Sequence, residues 1–230
     1  QRIGLAAGFF VLIALSPIAF GIPLVLRKDM KLGIASTATS LMGAFYVGVS
    51  LSCLVWLRTE ATNFLIIFIL FSVWSGDIAA YYVGRSMGRH KLAPVVSPNK
   101  SWEGALASIA ASVVVAIFVF HYAWQISGLF SRPWLNAHWV FPPSANLPFL
   151  IVPWAQVIIL GAATNIAAQF GDLFESALKR SAGIKDSGTL LPGHGGILDR
   201  IDALLFAIPV VWYYAVFSDI LQRSTIHPTF

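Results

Sequence analysis

The sequence predicts an all-α integral membrane protein, a polytopic helical bundle of about six spans with a polar site on its cytosolic face. Three observations predict it. The 230-residue chain is 57% hydrophobic and only 11% charged, where soluble domains average about 45–50% apolar and about 25% charged. Six stretches reach the ~20 mostly apolar residues that a spanning helix needs: 3–26, 32–57, 62–83, 101–124, 147–170 and 201–221. The basic residues alternate between the connecting loops.

Eleven of the fifteen Lys and Arg lie after the first, third and fifth spans. They are Arg27, Lys28 and Lys31; Arg85, Arg89, Lys91 and Lys100; and Lys179, Arg180, Lys185 and Arg200. Only Arg2, Arg58, Arg132 and Arg223 fall on the other side. The positive-inside rule makes the richer set cytosolic. That placement reads the +5 formal charge as a membrane surface and anionic substrates, with no nucleic-acid partner. The single cysteine, Cys53, excludes an intrachain disulfide.

Residues 1–60 are expected to form N-terminal membrane helices. The chain opens at Gln1 without Met, so further sequence is expected upstream. The rest, 61–230, is expected to be a catalytic membrane domain. Prolines at 17, 23, 153 and 209 fall in or near spans, where neighbouring helices can satisfy the freed carbonyls. The outer loop, 125–146, carries Trp134, Trp139 and Phe141, as an interfacial aromatic belt does. His121, His138 and His227 lie on that outer side and are assigned no role.

Two cytosolic segments carry chemistry. The third span ends in SGDIAAYYVGR, with Asp77 inside apolar sequence. A carboxylate there costs about 2.5–3.5 kcal/mol at a helix centre, so it should face a polar cavity or a partner such as Arg85. Arg85 and Arg89, four apart, share one face if the segment is helical. In SPNKSWEG, residues 97–104, Ser97-Pro98 reads as a turn. Ser101 can cap the fourth span, with Glu103 in its first turn. Asn99 and Lys100 are not needed for capping and suit phosphate or base contacts.

The second segment, 171–202, holds five of the ten acidic residues: Asp172, Glu175, Asp186, Asp199 and Asp202. As a helix, 171–180 puts Asp172, Glu175, Ser176 and Lys179 on one face. Asp199 and Asp202 share a face at the start of the last span. Carboxylates from two helix ends suit a hard divalent cation, and magnesium binds through one or two of them plus substrate phosphates. Between them PGHGG, residues 192–196, lets backbone N–H groups approach an anion. An ion-pair network at the membrane interface is the alternative. Basic neighbours favour phosphate chemistry, where positioning and charge neutralisation dominate.

The run from Ser176 to Asp202 reads S-A-L-K-R, four residues, K-D-S-G, then L-P-G-H-G-G-I-L-D-R-I-D. It resembles the signature of the phosphatidate cytidylyltransferases, or CDP-diacylglycerol synthases. Gly171-Asp172, SGDIAAYYVGR and SPNKSWEG resemble that family too, although Asn99 stands where Lys is more usual. The resemblance spans about residues 70–221. It implies a bacterial inner-membrane enzyme that makes CDP-diacylglycerol and pyrophosphate from CTP and phosphatidic acid, with Mg2+ assisting. It is compatible with a second cation such as K+ and with a homodimer. By resemblance, Asp172, Ser176, Lys179, Asp199 and Asp202 are the catalytic set. Asp172, Asp199 and Asp202, with Asp77, would ligate the metal. Asn99, Lys100, Arg85, Arg180, Lys185 and His194 would meet nucleotide or lipid phosphate.

Other classes fit less well. A CDP-alcohol phosphotransferase would carry D-G-x-x-A-R and spaced aspartates, and a lipid kinase a Gly-rich or Walker-type loop. A cation-coupled transporter would show repeats and midplane charges. None of these features is present in the sequence.

Overall fold

The computed structural model describes residues 21, 30–61, 63–123, 153–184, 187, 188 and 196–226. The chain divides into two compact units, Gln1–Val49 and Ser50–Phe230. Helix α1, Met30–Trp56, begins in the first unit and runs into the second. A wider helical turn, Leu57–Ala61, follows it.

The second unit holds α2 (Asn63–Met87), a hairpin of β1 (Lys91–Ala93) and β2 (Ser97–Ser101), α3 (Trp102–His121), α4 (Trp154–Ser181) and α5 (Leu198–Ile226). Among the described residues five helices are long and apolar enough to cross a membrane. The expected first span, 3–26, lies outside the described residues apart from Gly21, as does the outer loop 125–146.

Helices α2 to α5 pack antiparallel, which sorts their ends by chemistry. At one end Phe120, late in α3, meets Phe64 and Phe68, early in α2, edge to face with centroids 5.3 and 5.5 Å apart. Val157 of α4 and Val211 and Ala215 of α5 join the same apolar core. His121 lies edge to face with Tyr122 and tilted against Trp154 there, far along the bundle from the charged segments. The other end gathers the C-termini of α2 and α4 with the N-termini of α3 and α5.

Midway, polar side chains replace the aromatics. Ser72 and Ser112 hydroxyls share a hydrogen bond, and Ser112 donates to the Gly161 carbonyl at 3.0 Å. Gln169 donates to Asn165 Oδ1 at 2.7 Å and to the Ala105 carbonyl at 3.1 Å. Small and hydrogen-bonding residues let membrane helices approach closely where no hydrophobic force drives them together.

Three sequence expectations are corrected here. The fifth span, placed at 147–170, is a helix over Trp154–Ser181. At about 1.5 Å per residue its 28 residues are longer than a ~30 Å hydrocarbon core needs. The helix continues because its charges face partners, and it stops at Gly183. There φ is +71°, Gly183 N–H reaches the Arg180 carbonyl, and Ile184 N–H reaches that of Lys179, the pairing of a Schellman C-cap. Second, α2 ends at Met87, so Arg89 lies beyond it and does not share a helical face with Arg85. Third, Ser97-Pro98 opens a strand instead of a turn. The β1 and β2 strands pair antiparallel, Lys91 opposite Ser101 and Ala93 opposite Ser97. Pro98 is tolerated because a two-stranded hairpin has edges on both sides.

Candidate active site

The charged end of the second unit is built from three pieces: the last turns of α4, the first turn of α5 and the β-hairpin. On α4 the expected single face is present. Ser176 Oγ lies 3.5 Å from Asp172 Oδ1, and Lys179 Nζ lies 2.5 Å from Glu175 Oε2. That face turns partly inward, leaving Glu175 only 1% exposed. Helix α5 approaches closely at Gly171, where an added Cβ would sit 2.6 Å from the Asp202 carbonyl oxygen. The glycine thereby sets Asp172 and Asp202 on neighbouring turns of two helices.

Asp199 engages partners through both of its oxygens. Its Oδ1 takes Lys179 Nζ at 2.6 Å. Its Oδ2 accepts from Ser187 N–H at 2.9 Å, Ser187 Oγ at 2.7 Å and Gly196 N–H at 2.8 Å. One side chain therefore holds Ser187 and Gly196 together and ties them to Lys179 on α4. Lys179 is shared, with one ammonium bridging Glu175 on its own helix and Asp199 on the next. Asp202 is 8% exposed, and its Oδ1 accepts from Ala203 N–H at 2.8 Å.

The hairpin brings the third piece. Ser101 caps α3 as expected: its backbone is extended, and its Oγ accepts from Gly104 N–H at 3.2 Å. Glu103, in the first turn, accepts from the backbone of His90 and pairs with its Nδ1 at 2.7 Å, pinning the chain that enters the hairpin. The result is a fixed β2, from which Lys100 reaches Asp172 Oδ2 at 2.5 Å.

Asp77 stands on α2 within electrostatic reach of both Asp172 and Lys100, and Asp202 within reach of Asp172, Glu175 and Lys179. Arg85, considered in the sequence as a partner for Asp77, instead donates to the Tyr81 hydroxyl at 2.8 Å. Asn99 and Arg180 are exposed. Lys185 and His194 lie outside the described residues. The structure thus brings together Lys100, Asp172, Ser176, Lys179, Asp199, Asp202 and Asp77, and turns Arg85 aside.

Among the described residues no three His, Cys, Asp or Glu side chains converge closely enough to hold an ion unaided. Carboxylates beside lysines on two helices are donors of the kind that a hard cation takes together with water and substrate phosphates. Among the described residues they do not form an all-protein cage.

Sequence reasoning missed three parts. The hairpin was hidden because its strands are short, three and five residues. Ser187 was unassigned, although it sits inside the quoted signature run, and Gly196, read as an N–H donor to an anion, donates to the Asp199 carboxylate. Glu175 was read as one member of a face, and only packing shows that it is buried.

A family model described as the cytidylyltransferase family matches residues 3–218. A phosphatidate cytidylyltransferase of Brucella suis is 41% identical over 180 residues, covering 77% of this chain and 57% of the relative. The Haemophilus influenzae protein of that name is 40% identical over 154 residues, 67% of this chain and 46% of the relative. One from Staphylococcus saprophyticus is 36% identical over 187 residues, 81% and 62%. The chain therefore spans less than two thirds of the length of these relatives. A match across nearly the whole chain, with the charged cluster inside it, means that the chain belongs to the cytidylyltransferase family.

Proposed function

We propose that the protein transfers the cytidylyl group of CTP to phosphatidic acid, giving CDP-diacylglycerol and pyrophosphate. The observation that carries this reading is the lysine–carboxylate cluster at one end of an apolar bundle, within a chain of this family. A lipid phosphate and a soluble nucleotide can meet only at a membrane interface. The last turns of α4 and the first turn of α5 supply both an apolar side and a charged end there.

A phosphate monoester is already a nucleophile, so no Ser or Cys carrier is required. An oxygen of the lipid phosphate attacks the α-phosphorus of CTP as the bond to the bridging oxygen breaks and pyrophosphate leaves. Lys100, Lys179 and Arg180 offset the charge gathered on the phosphates, and Ser176 donates a hydrogen bond. Positioned cations and donors of this kind contribute most in a dry site. Lys185 and His194 belong to the same proposal as phosphate contacts.

One or two carboxylates of the set Asp77, Asp172, Asp199 and Asp202 would hold magnesium, with water and substrate phosphates completing its shell. When bound, the metal would neutralise phosphoryl oxygens. Basic loops argue for the cytosolic face, and the bacterial relatives for the inner membrane.

The test is product identification. Full-length protein in detergent is given labelled CTP with phosphatidic acid, then with diacylglycerol or phosphatidylglycerol, and the lipid phase is analysed. Labelled CDP-diacylglycerol from phosphatidic acid alone supports the reading. Label entering another lipid, or none, refutes it.

A further inference from the structure

We propose that Glu175 is a positioning residue, the buried counter-charge that holds the Lys179 ammonium in place for a phosphate. The inference rests on the cytidylyl-transfer reading.

Three observations carry it. Glu175 is among the largest fully buried side chains of the protein, 1% exposed, although it is a carboxylate. Its Oε2 lies 2.5 Å from Lys179 Nζ, one helical turn along α4. The same ammonium lies 2.6 Å from Asp199 Oδ1 on α5, and is itself 16% exposed. A buried charge persists only when paired, so Glu175 has no use as a solvent-facing ligand. It does have one as an anchor.

Lysine is a point charge on a flexible four-carbon stem with three N–H donors. Bound to Asp199 alone, the ammonium could pivot about that carboxylate. A second carboxylate beneath it fixes its place at the junction of α4 and α5. The ammonium donates to Asp199 Oδ1 and lies in an ion pair with Glu175 Oε2, which leaves N–H donors for a phosphoryl oxygen. Ser176, next in sequence, is placed on the accessible side by the same helix, beside Asp172. Glu175 thus acts on the reaction only through Lys179.

The experiment compares Glu175→Gln and Glu175→Asp in full-length protein, each alone and combined with Lys179→Met. The readouts are steady-state kinetics and thermal unfolding in detergent. With the ammonium misplaced in the transition state, Glu175→Gln lowers kcat about tenfold or more, while KM for CTP and for phosphatidic acid moves by less than about threefold. Glu175→Asp, a carboxylate drawn back by one methylene, falls between Gln and the parent. Unfolding gives a sign test independent of activity. Glu175→Gln lowers the midpoint in the parent, where it breaks an ion pair. In the Lys179→Met background it raises the midpoint, because there it removes an unpaired buried charge.

A parental kcat in Glu175→Gln, or equal downward shifts in both backgrounds, overturns the proposal. If Glu175→Gln does not fold, a parental kcat in Glu175→Asp overturns it. A parent protein that makes no CDP-diacylglycerol refutes the functional reading instead, and the sign test still reports on Glu175 and Lys179.

Discussion

Lys100 and Asp172 meet at 2.5 Å across two elements far apart in the chain, the second strand of the hairpin and the C-terminal part of α4. Their side chains remain 25% and 40% exposed, so the pair adds little to stability. Exposed ion pairs are worth about 0–1 kcal/mol. Its meaning lies in position. The hairpin hands a cation to the carboxylate cluster, and a substrate phosphate can take the place of Asp172 beside Lys100.

Replacing Lys100 with Met should therefore separate activity from stability. We expect kcat/KM for CTP to fall about a hundredfold, as when a charged transition-state contact is lost. The unfolding midpoint in detergent should stay within a few degrees of the parent. A parallel loss of both would make the pair structural.

The approach of α4 to α5 at Gly171 gives the opposite prediction. Alanine there would place Cβ 2.6 Å from the Asp202 carbonyl oxygen and 3.0 Å from the Phe206 ring. Overpacking of this kind costs about 1–3 kcal/mol, and it would also part Asp172 from Asp202. Gly171→Ala should lower the unfolding midpoint and the activity together, read by thermal unfolding and product formation on one preparation.

Below the site, Gln169 ties Asn165 and the Ala105 carbonyl one turn ahead of Asp172. Hydrogen bonds between membrane helices contribute about 0.6 kcal/mol on average. Gln169→Leu should cost about that much in unfolding free energy and alter turnover far less than Lys100→Met. A loss of turnover as large as that of Lys100→Met would give the polar seam a direct catalytic part.

Much of the fold was legible because the bilayer reduces it to a pattern. Long apolar runs, basic loops on alternate sides and the Ser101 cap each depend on local sequence. The extent of α4 was harder to read, since hydropathy stops near 170 while the helix runs on through Asp172 and Lys179 to the Gly183 cap. The hairpin was invisible because 91–101 offers no alternation of apolar and polar residues. Within the site, the face carrying Asp172, Ser176 and Lys179 followed from helical spacing. The web around Asp199 did not, because no periodicity relates Asp199 to its donors Ser187 and Gly196. Burial of Glu175 likewise depends on α5, which spacing along α4 cannot reveal.

Removing divalent cations tests the proposed role of the carboxylates. Chelation with EDTA should abolish product formation, and magnesium should restore it. Asp172→Asn and Asp202→Asn should shift the magnesium concentration for half-maximal activity upward. Activity indifferent to chelation would leave the lysines as the only charge-neutralising groups.

The central claim is that the cluster joining α4, α5 and the hairpin performs cytidylyl transfer. Pyrophosphate release from CTP by the full-length protein tests it most directly, measured with and without phosphatidic acid and magnesium, beside Asp199→Asn. Release that requires both lipid and metal, and falls to background in the variant that loses the Lys179 ion pair, is the predicted result. Full activity in Asp199→Asn, or CTP left intact by the parent while another nucleotide or lipid turns over, would contradict it.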